Sequence, residues 1–341
     1  MEPLDALNQV AFRLERSGAD TYKVRAFRHA ARAITSVPRP TLESLAAAGR
    51  LQSIEGVGKS TAQVIVEALR GETPAYLAKL DEGPDDLVLE GPAAALLESL
   101  RGDCHSHSDW SDGGSPILEM AEAARALGRE YLVLTDHSAR LTVAHGLNED
   151  RLREQLDVLR GLNEQLAPFR ILTGMEVDIL EDGSLDLDPD LLGELDVVVA
   201  SVHSKLRMDE RQMTARMLAA VESPHTDILG HCTGRLITGR GRPQSVFDAD
   251  AVFTACARTG TAVEINSRPE RQDPPEDLLR RAAELGCSFA IDTDAHAPGQ
   301  LEWLARGCRN AVAAEVLPER VVNRGTADEL VAWAGAHGAA A

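Results

Sequence analysis

Apolar residues recur at helical spacing through the first 80 positions. From Leu4 to Gly18 they fall at Leu4, Leu7, Val10, Ala11 and Leu14, one stripe of an amphipathic helix that Gly18 stops. The run from Thr21 to Val37 repeats the pattern with Lys23, Arg25, Arg28 and Arg32 interleaved, and Pro38 ends it. Helices over 41–50 and 60–71 follow, each with glycine near its end. Between them lies Ile54-Glu55-Gly56-Val57-Gly58-Lys59. Positions 81–98, with Gly83-Pro84-Asp85-Asp86 and Gly91-Pro92, read as a linker carrying one short helix.

From residue 99 the pattern changes to alternating strand and helix. Short β-rich runs occupy 100–107, 131–137, 171–178, 196–203, 227–231, 261–266 and 287–296, and helical patterns such as 115–128 and 275–286 fill the gaps. Such alternation predicts a parallel sheet, and seven units predict a closed or nearly closed barrel. Most runs end on a polar residue, at the strand ends where barrels of this kind place their reactive groups. The domains expected are therefore 1–80, all helical, and 99–341, α/β.

Charge separates the same two modules. The 341 residues carry a net charge of −19. Residues 1–80 hold eleven basic and eight acidic side chains, a net of +3, leaving −22 for the remainder. This asymmetry points to different partners for the two parts. No apolar run is long enough to span a membrane, and MEPLDALNQV lacks the features of a signal peptide. Five cysteines without a CxxC pair argue for a reducing compartment, the cytoplasm, and against a disulfide scaffold.

Nine residues at or just past strand ends are candidate metal ligands: His105, His107, Asp112, His137, Glu176, His203, His231, Asp294 and His296. Converging buried charges make little sense without a cation. Imidazole and carboxylate donors without thiolate suit Zn, Mn or Fe. In an extended strand residues two apart share a side, so His105 and His107, like Asp294 and His296, can meet one ion. Glu176 has two oxygens and can bridge two ions, as two-metal hydrolases require. Lys205, Arg235, Arg268 and Arg271 are candidates for gripping phosphate. His29, His145, His225 and His337 match no motif and read as structural or surface residues.

The motifs Cys104-His105-Ser106-His107, Asp136-His137-Ser138, Gly174-Met175-Glu176-Val177-Asp178, Val202-His203-Ser204, Gly230-His231-Cys232 and Thr293-Asp294-Ala295-His296 closely resemble the PHP (polymerase and histidinol phosphatase) family over about residues 99–320. The resemblance implies a distorted seven-stranded βα barrel with three divalent metal ions. It assigns His105, His107, Glu176 and Asp294 to the first, Glu176, His203 and His231 to the second, and Asp112, His137 and His296 to the third. Glu176, His203 and Asp294 are the residues expected to be catalytic.

The Gly56-Val57-Gly58-Lys59 turn between helices resembles a helix-hairpin-helix DNA-binding element, whose backbone N–H groups can meet a phosphate. With the run Tyr22–Ile34 it resembles the small N-terminal domain of family X DNA polymerases, whose bacterial members carry a PHP domain. DNA contacts are expected from Lys23, Arg25, Arg28, Gly56, Gly58 and Lys59, giving weak, sequence-independent binding. The short linker leaves no room for a polymerase palm and fingers. The family's lyase lysine aligns with Val64 and a supporting lysine with Ser60, so no Schiff-base lyase is expected.

The resulting expectation is a metal-dependent phosphoesterase, a 3′–5′ exonuclease or a hydrolase of DNA ends or abasic sites in DNA repair. The alternatives are a small-molecule phosphomonoesterase of the histidinol-phosphatase type and a non-catalytic DNA-binding scaffold. The strongly acidic barrel favours the former, because negative charge repels DNA.

Overall fold

The computed structural model describes residues 1–82 and 85–336, so Gly83, Pro84 and His337 lie outside the described residues. Contacts divide the chain into two compact units: Met1–Asp86 together with Ala297–Gln300, and the rest from Leu87 onward.

The first unit is helical: α1 (Pro3–Arg16), α2 (Thr21–Thr35), α3 (Arg39–Ala47), α4 (Lys59–Leu69) and α5 (Ala75–Leu80). Pro3 sits in the first turn of α1, where its missing N–H costs nothing. The Asp20 carboxylate accepts from Tyr22 N at 2.8 Å and caps α2. The apolar stripes meet in one core that includes Leu7, Val10, Ala11, Leu14, Phe27, Ile34 and Ile65. Val64 is part of it, fully buried.

Helix α6 (Gly91–Ser99) is the short helix expected near the end of the linker. Pro92 lies in its first turn, and Leu96 and Leu100 pack into the main apolar cluster of the second unit. Contacts group the residues from Leu87 onward with the second unit.

The second unit holds seven parallel strands paired in chain order: β1 (Gly102–Asp103), β2 (Tyr131–Leu134), β3 (Arg170–Asp178), β4 (Val197–Ser201), β5 (Ile228–Leu229), β6 (Ala262–Asn266) and β7 (Phe289–Asp292). All seven expected runs become strands. Helices α7 (Ile117–Ala126), α8 (Glu149–Leu166), α9 (Pro189–Leu192), α10 (Glu210–Val221), α11 (Ala249–Thr259) and α12 (Glu276–Glu284) connect them, and α13 (Leu304–Ala313) and α14 (Ala327–Ala334) follow. Strand alternation sorts the side chains into two apolar clusters. Tyr131, Val133, Leu172, Val197, Val199, Ala262 and Ala290 share the barrel interior, which Ala327, Leu330 and Ala334 of α14 also fill. Their strand neighbours Val198, Ala200, Val263, Ile265, Phe289 and Ile291 face the surrounding helices.

β1 and β7 share no ladder. A single parallel bridge, Ser106↔Ala295, joins their continuations, with His107 N donating to Ala295 O at 2.8 Å. Below it the Asn323 side chain spans the seam, donating to Gly102 O at 2.9 Å and Ile291 O at 2.6 Å. The barrel is thus nearly closed. Among the described residues no helix is long and apolar enough to cross a membrane.

Candidate metal centre

Six of the seven strands, all but β6, deliver a candidate ligand to one end of the barrel. His105 and His107 follow β1, His137 follows β2, Glu176 lies within β3, His203 and His231 follow β4 and β5, and Asp294 and His296 follow β7. Asp112 comes from the loop after β1. Glu176 continues the inner face begun by Leu172, because both occupy even positions of β3.

Glu176 is the hub. Its Oε2 lies 3.2 Å from His105 Nε2, 3.5 Å from His107 Nε2 and 2.9 Å from His137 Nδ1. Its Oε1 lies 3.2 Å from His203 Nε2 and 2.9 Å from His231 Nε2. Asp294 Oδ1 is 3.4 Å from His107 Nε2, and Asp112 Oδ1 is 3.5 Å from His137 Nε2 and 3.3 Å from His296 Nε2. The structure brings all nine candidate ligands together. Three sets each gather ligand atoms within 4.8 Å of one another: His107 with Asp112, His137 and His296; His105 with His107 and Asp294; and His137 with Glu176 and His203.

The donor set fits divalent cations. His105 Nε2, His107 Nδ1 and Nε2, His137 Nδ1, both His203 nitrogens, His231 Nδ1 and Glu176 Oε2 are buried without a hydrogen-bond partner. Carboxylate oxygens lie at bonding distance from several of them, but not in hydrogen-bond directions. Each such atom costs about 1–3 kcal/mol, so this many in one place makes sense around cations.

Electrostatics divides the imidazoles. Burial lowers His105 and His203, but the Glu176 carboxylate outweighs it and raises His105 well above the ordinary value and His203 to about 9. These two therefore release a proton when a cation binds. Burial pushes the Glu176 carboxyl up, but the imidazoles of His105, His203 and His137 together hold it well below the usual range. Burial, then the neighbouring His296 and His137, keep His107 well below the ordinary imidazole value. Burial and Arg271 lower His231. Neutral imidazole is the form that ligates metal.

A cavity of about 300 Å³ opens above the cluster, lined by Asp112, His137, Glu176, His203, His231, Asp294 and His296, with Leu141, Leu236, Arg268, Glu270 and Arg271 completing the wall. Arg271 Nε lies 3.3 Å from Asp294 Oδ2, and its buried Nη1 has no hydrogen-bond partner. Arg268 Nη1 reaches Asp294 O at 3.1 Å and His296 Nδ1 at 2.9 Å, while its Nη2 meets Glu270 at 2.9 Å. Two expected phosphate residues stand elsewhere. Arg235 is corrected: it donates through Nε to Arg271 O at 3.0 Å and through Nη2 to Gln272 O, bracing the loop that carries Arg271. Lys205 is exposed, 3.9 Å from Glu181, and does not line the cavity.

In the helical unit Lys23, Arg25 and Lys59 are exposed, as are Gly56 and Gly58. Gly56 has φ +88°, a left-handed turn conformation glycine adopts without strain, and Gly58 caps α4. Arg28 corrects the DNA-binding expectation. Its guanidinium is buried and forks onto Glu15, with Nε–Oε1 and Nη2–Oε2 both 2.8 Å, so it holds α1 against α2.

Several acids behind the ligands were not among the expected site residues. Asp136 accepts from Ser108 N and Oγ, Ser111 Oγ and Gln155, shaping the loop that leads to Asp112. Asp178 accepts from His203 N at 3.1 Å. Glu264 and Asp292 project into the barrel from β6 and β7. Their signal in the sequence was an acid interrupting an apolar strand, as in Ala262-Val263-Glu264-Ile265.

Comparison with known proteins supports both units. A helix-hairpin-helix domain model matches residues 1–74 and a PHP domain model residues 103–268. The DNA polymerase/3′-5′ exonuclease PolX of Bacillus subtilis (strain 168) is 39% identical over 236 residues, 69% of this chain and 41% of that protein. The chain therefore spans less than half the length of that relative. A probable phosphatase of Thermoanaerobacter sp. (strain X514) is 30% identical over 229 residues, 63% of this chain and 88% of the relative. A solved histidinol phosphate phosphatase of Lactococcus lactis, complexed with zinc, L-histidinol and phosphate, is similar at a TM-score of 0.44 and 18% identity, covering 63% of this chain and 93% of that one.

Proposed function

The chain belongs to the PHP family and is a hydrolase of phosphoric esters; we propose that its substrate is DNA, cleaved as a 3′–5′ exonuclease or at ends and abasic sites during repair. One observation carries this proposal: the same chain joins the metal-ligand cluster to a helix-hairpin-helix unit whose Gly56, Gly58 and Lys59 are exposed. Three ions (Mn, Zn or Fe) would be held by His105, His107, Glu176 and Asp294, by Glu176, His203 and His231, and by Asp112, His137 and His296. Bound divalent ions supply an acidified water and neutralise phosphoryl charge. Glu176, His203 and Asp294 serve as holders rather than nucleophiles. Asp294 is pinned by Asn266, Arg268 and Arg271 and cannot swing toward an ester. Arg271, which lines the cavity and whose buried Nη1 has no hydrogen-bond partner, takes a phosphoryl oxygen. Gly58 N–H is already given to Thr61 Oγ1 at 2.9 Å, so DNA phosphate meets the N–H groups that follow it, with Lys23, Arg25 and Lys59 adding charge.

A second reading is a small-molecule phosphomonoesterase. The net charge of −22 beyond residue 80 favours it, as does the relative described as a probable phosphatase over most of its length. Side-by-side assays with Mn²⁺ separate the two, using end-labelled DNA and histidinol phosphate. The DNA proposal expects Lys23→Ala, Arg25→Ala and Lys59→Ala together to weaken DNA binding and flatten its salt dependence while small-ester turnover is unchanged. Histidinol phosphate turnover far above DNA turnover, with no effect of these substitutions on DNA cleavage, would replace it with the second reading.

A further inference from the structure

Glu264 lies on the inner face of β6, two residues after Ala262, and is fully buried. Its Oε1 stands 2.5 Å from His105 Nδ1, and its Oε2 accepts the backbone N–H of His231. Asn266 Nδ2 ties the same Oε2, at 3.3 Å, to Asp294 Oδ2, at 3.2 Å. One carboxylate thus touches the ring of one candidate ligand, the backbone of a second and, through an amide, the side chain of a third.

An imidazole that donates from Nδ1 carries its lone pair on Nε2. In His105 that atom faces Glu176 Oε2 at 3.2 Å and Asp294 Oδ1 at 4.0 Å. Asp292 stands beside the pair, with its nearest oxygen within 4.8 Å of both, so a cation held by His105, Glu264 and Asp292 is the competing explanation. Distance decides against it. Two atoms bound to one ion at about 2.0–2.1 Å are about 3.3 Å apart at tetrahedral angles and about 2.9 Å at right angles, the spacing of Glu176 from His137 and His231, whereas 2.5 Å is a short hydrogen bond.

We propose that Glu264 is the positioning residue of the metal centre: it locks His105 in the Nδ1–H tautomer, aims Nε2 at the ion, and fixes the ends of β5 and β7 to the same anchor. It is not itself a ligand. Removing such an outer partner typically weakens metal binding by about 10–100-fold.

The test needs no turnover. The metal-free full-length protein is titrated with Co²⁺ against a chromogenic chelator, following affinity, stoichiometry and the visible spectrum. Glu264→Gln keeps the shape, and its folding is checked by circular dichroism. The expected result is a tightest Co²⁺ equivalent bound at least 10-fold more weakly with an altered spectrum, while Asp292→Asn stays within about threefold of wild type. A Glu264→Gln titration superimposable on wild type would overturn the proposal. So would loss of the same equivalent in Asp292→Asn, which would place a cation in the acidic pair. Long-range ¹H–¹⁵N correlation on the unsubstituted protein gives an independent measurement should Glu264→Gln fail to fold. A His105 ring carrying its proton on Nδ1 supports the proposal, and one carrying it only on Nε2 refutes it.

Discussion

Replacing Asn323 with alanine tests how the barrel closes. Its Nδ2 donates to Gly102 O and Ile291 O, and its Oδ1 accepts from Ile291 N at 3.1 Å. A fourth bond, Arg101 N to Asn323 O at 2.9 Å, is made by the backbone and would survive the substitution. The residue is fully buried between β1 and β7, so bulk water cannot replace the lost partners. Three hydrogen bonds vanish, leaving one N–H and two carbonyls in the seam. At roughly 1–2 kcal/mol for each group, the cost is about 3–6 kcal/mol. Trp110, Trp303 and Trp333 are the chain's three tryptophans and all lie in the barrel unit, so their emission during urea unfolding reports that unit alone. With a urea slope of about 3 kcal/mol/M the midpoint falls by about 1 M or more. Asn323→Asp should be worse, since an anionic oxygen would then face two carbonyls. A shift below about 0.3 M in Asn323→Ala, with native circular dichroism, would refute closure by this side chain.

Glu176→Ala removes the oxygens that five imidazoles face, so bound metal measured by elemental analysis should drop and phosphoester hydrolysis fall by at least about 100-fold; full metal content would sink the assignment. Arg28→Ala strips Glu15 of its guanidinium partner, in a pair whose side chains are 11% and 2% exposed, and should destabilise the helical unit by about 3–5 kcal/mol. Amide exchange in α1 and α2 reads this directly, and unchanged exchange with weakened DNA binding would return Arg28 to the interface. Burial pushes the Cys287 and Cys308 thiols up to about 12 and raises Cys104, Cys232 and Cys256 as well. At pH 8, below these values, the thiols stay protonated, and iodoacetamide should label them only in urea. Rapid labelling of the native protein at any of the five would contradict that burial.

The seven strands and the nine candidate ligands were legible along the chain. Each strand announces itself by a short β-rich run, and each ligand by its position where that run ends, which is a property of the segment alone. The helical core was legible for the same reason: apolar residues three and four apart must share a face. Other features waited for the tertiary structure. The run Ala262-Val263-Glu264-Ile265-Asn266 shows an acid in a strand, but not that its partner is His105, 159 positions away. Arg28 looked like its exposed neighbours Lys23 and Arg25 until Glu15 was found beneath it. Arg235 stands in a run of arginines, and only the fold turns it onto the carbonyls of 271 and 272. Asn323, beyond the last strand, carried no local sign that it closes the seam. Periodicity records which side of an element shuns water, because hydrophobicity belongs to each residue by itself. A hydrogen-bond partner belongs to a pair, and packing decides which pairs meet.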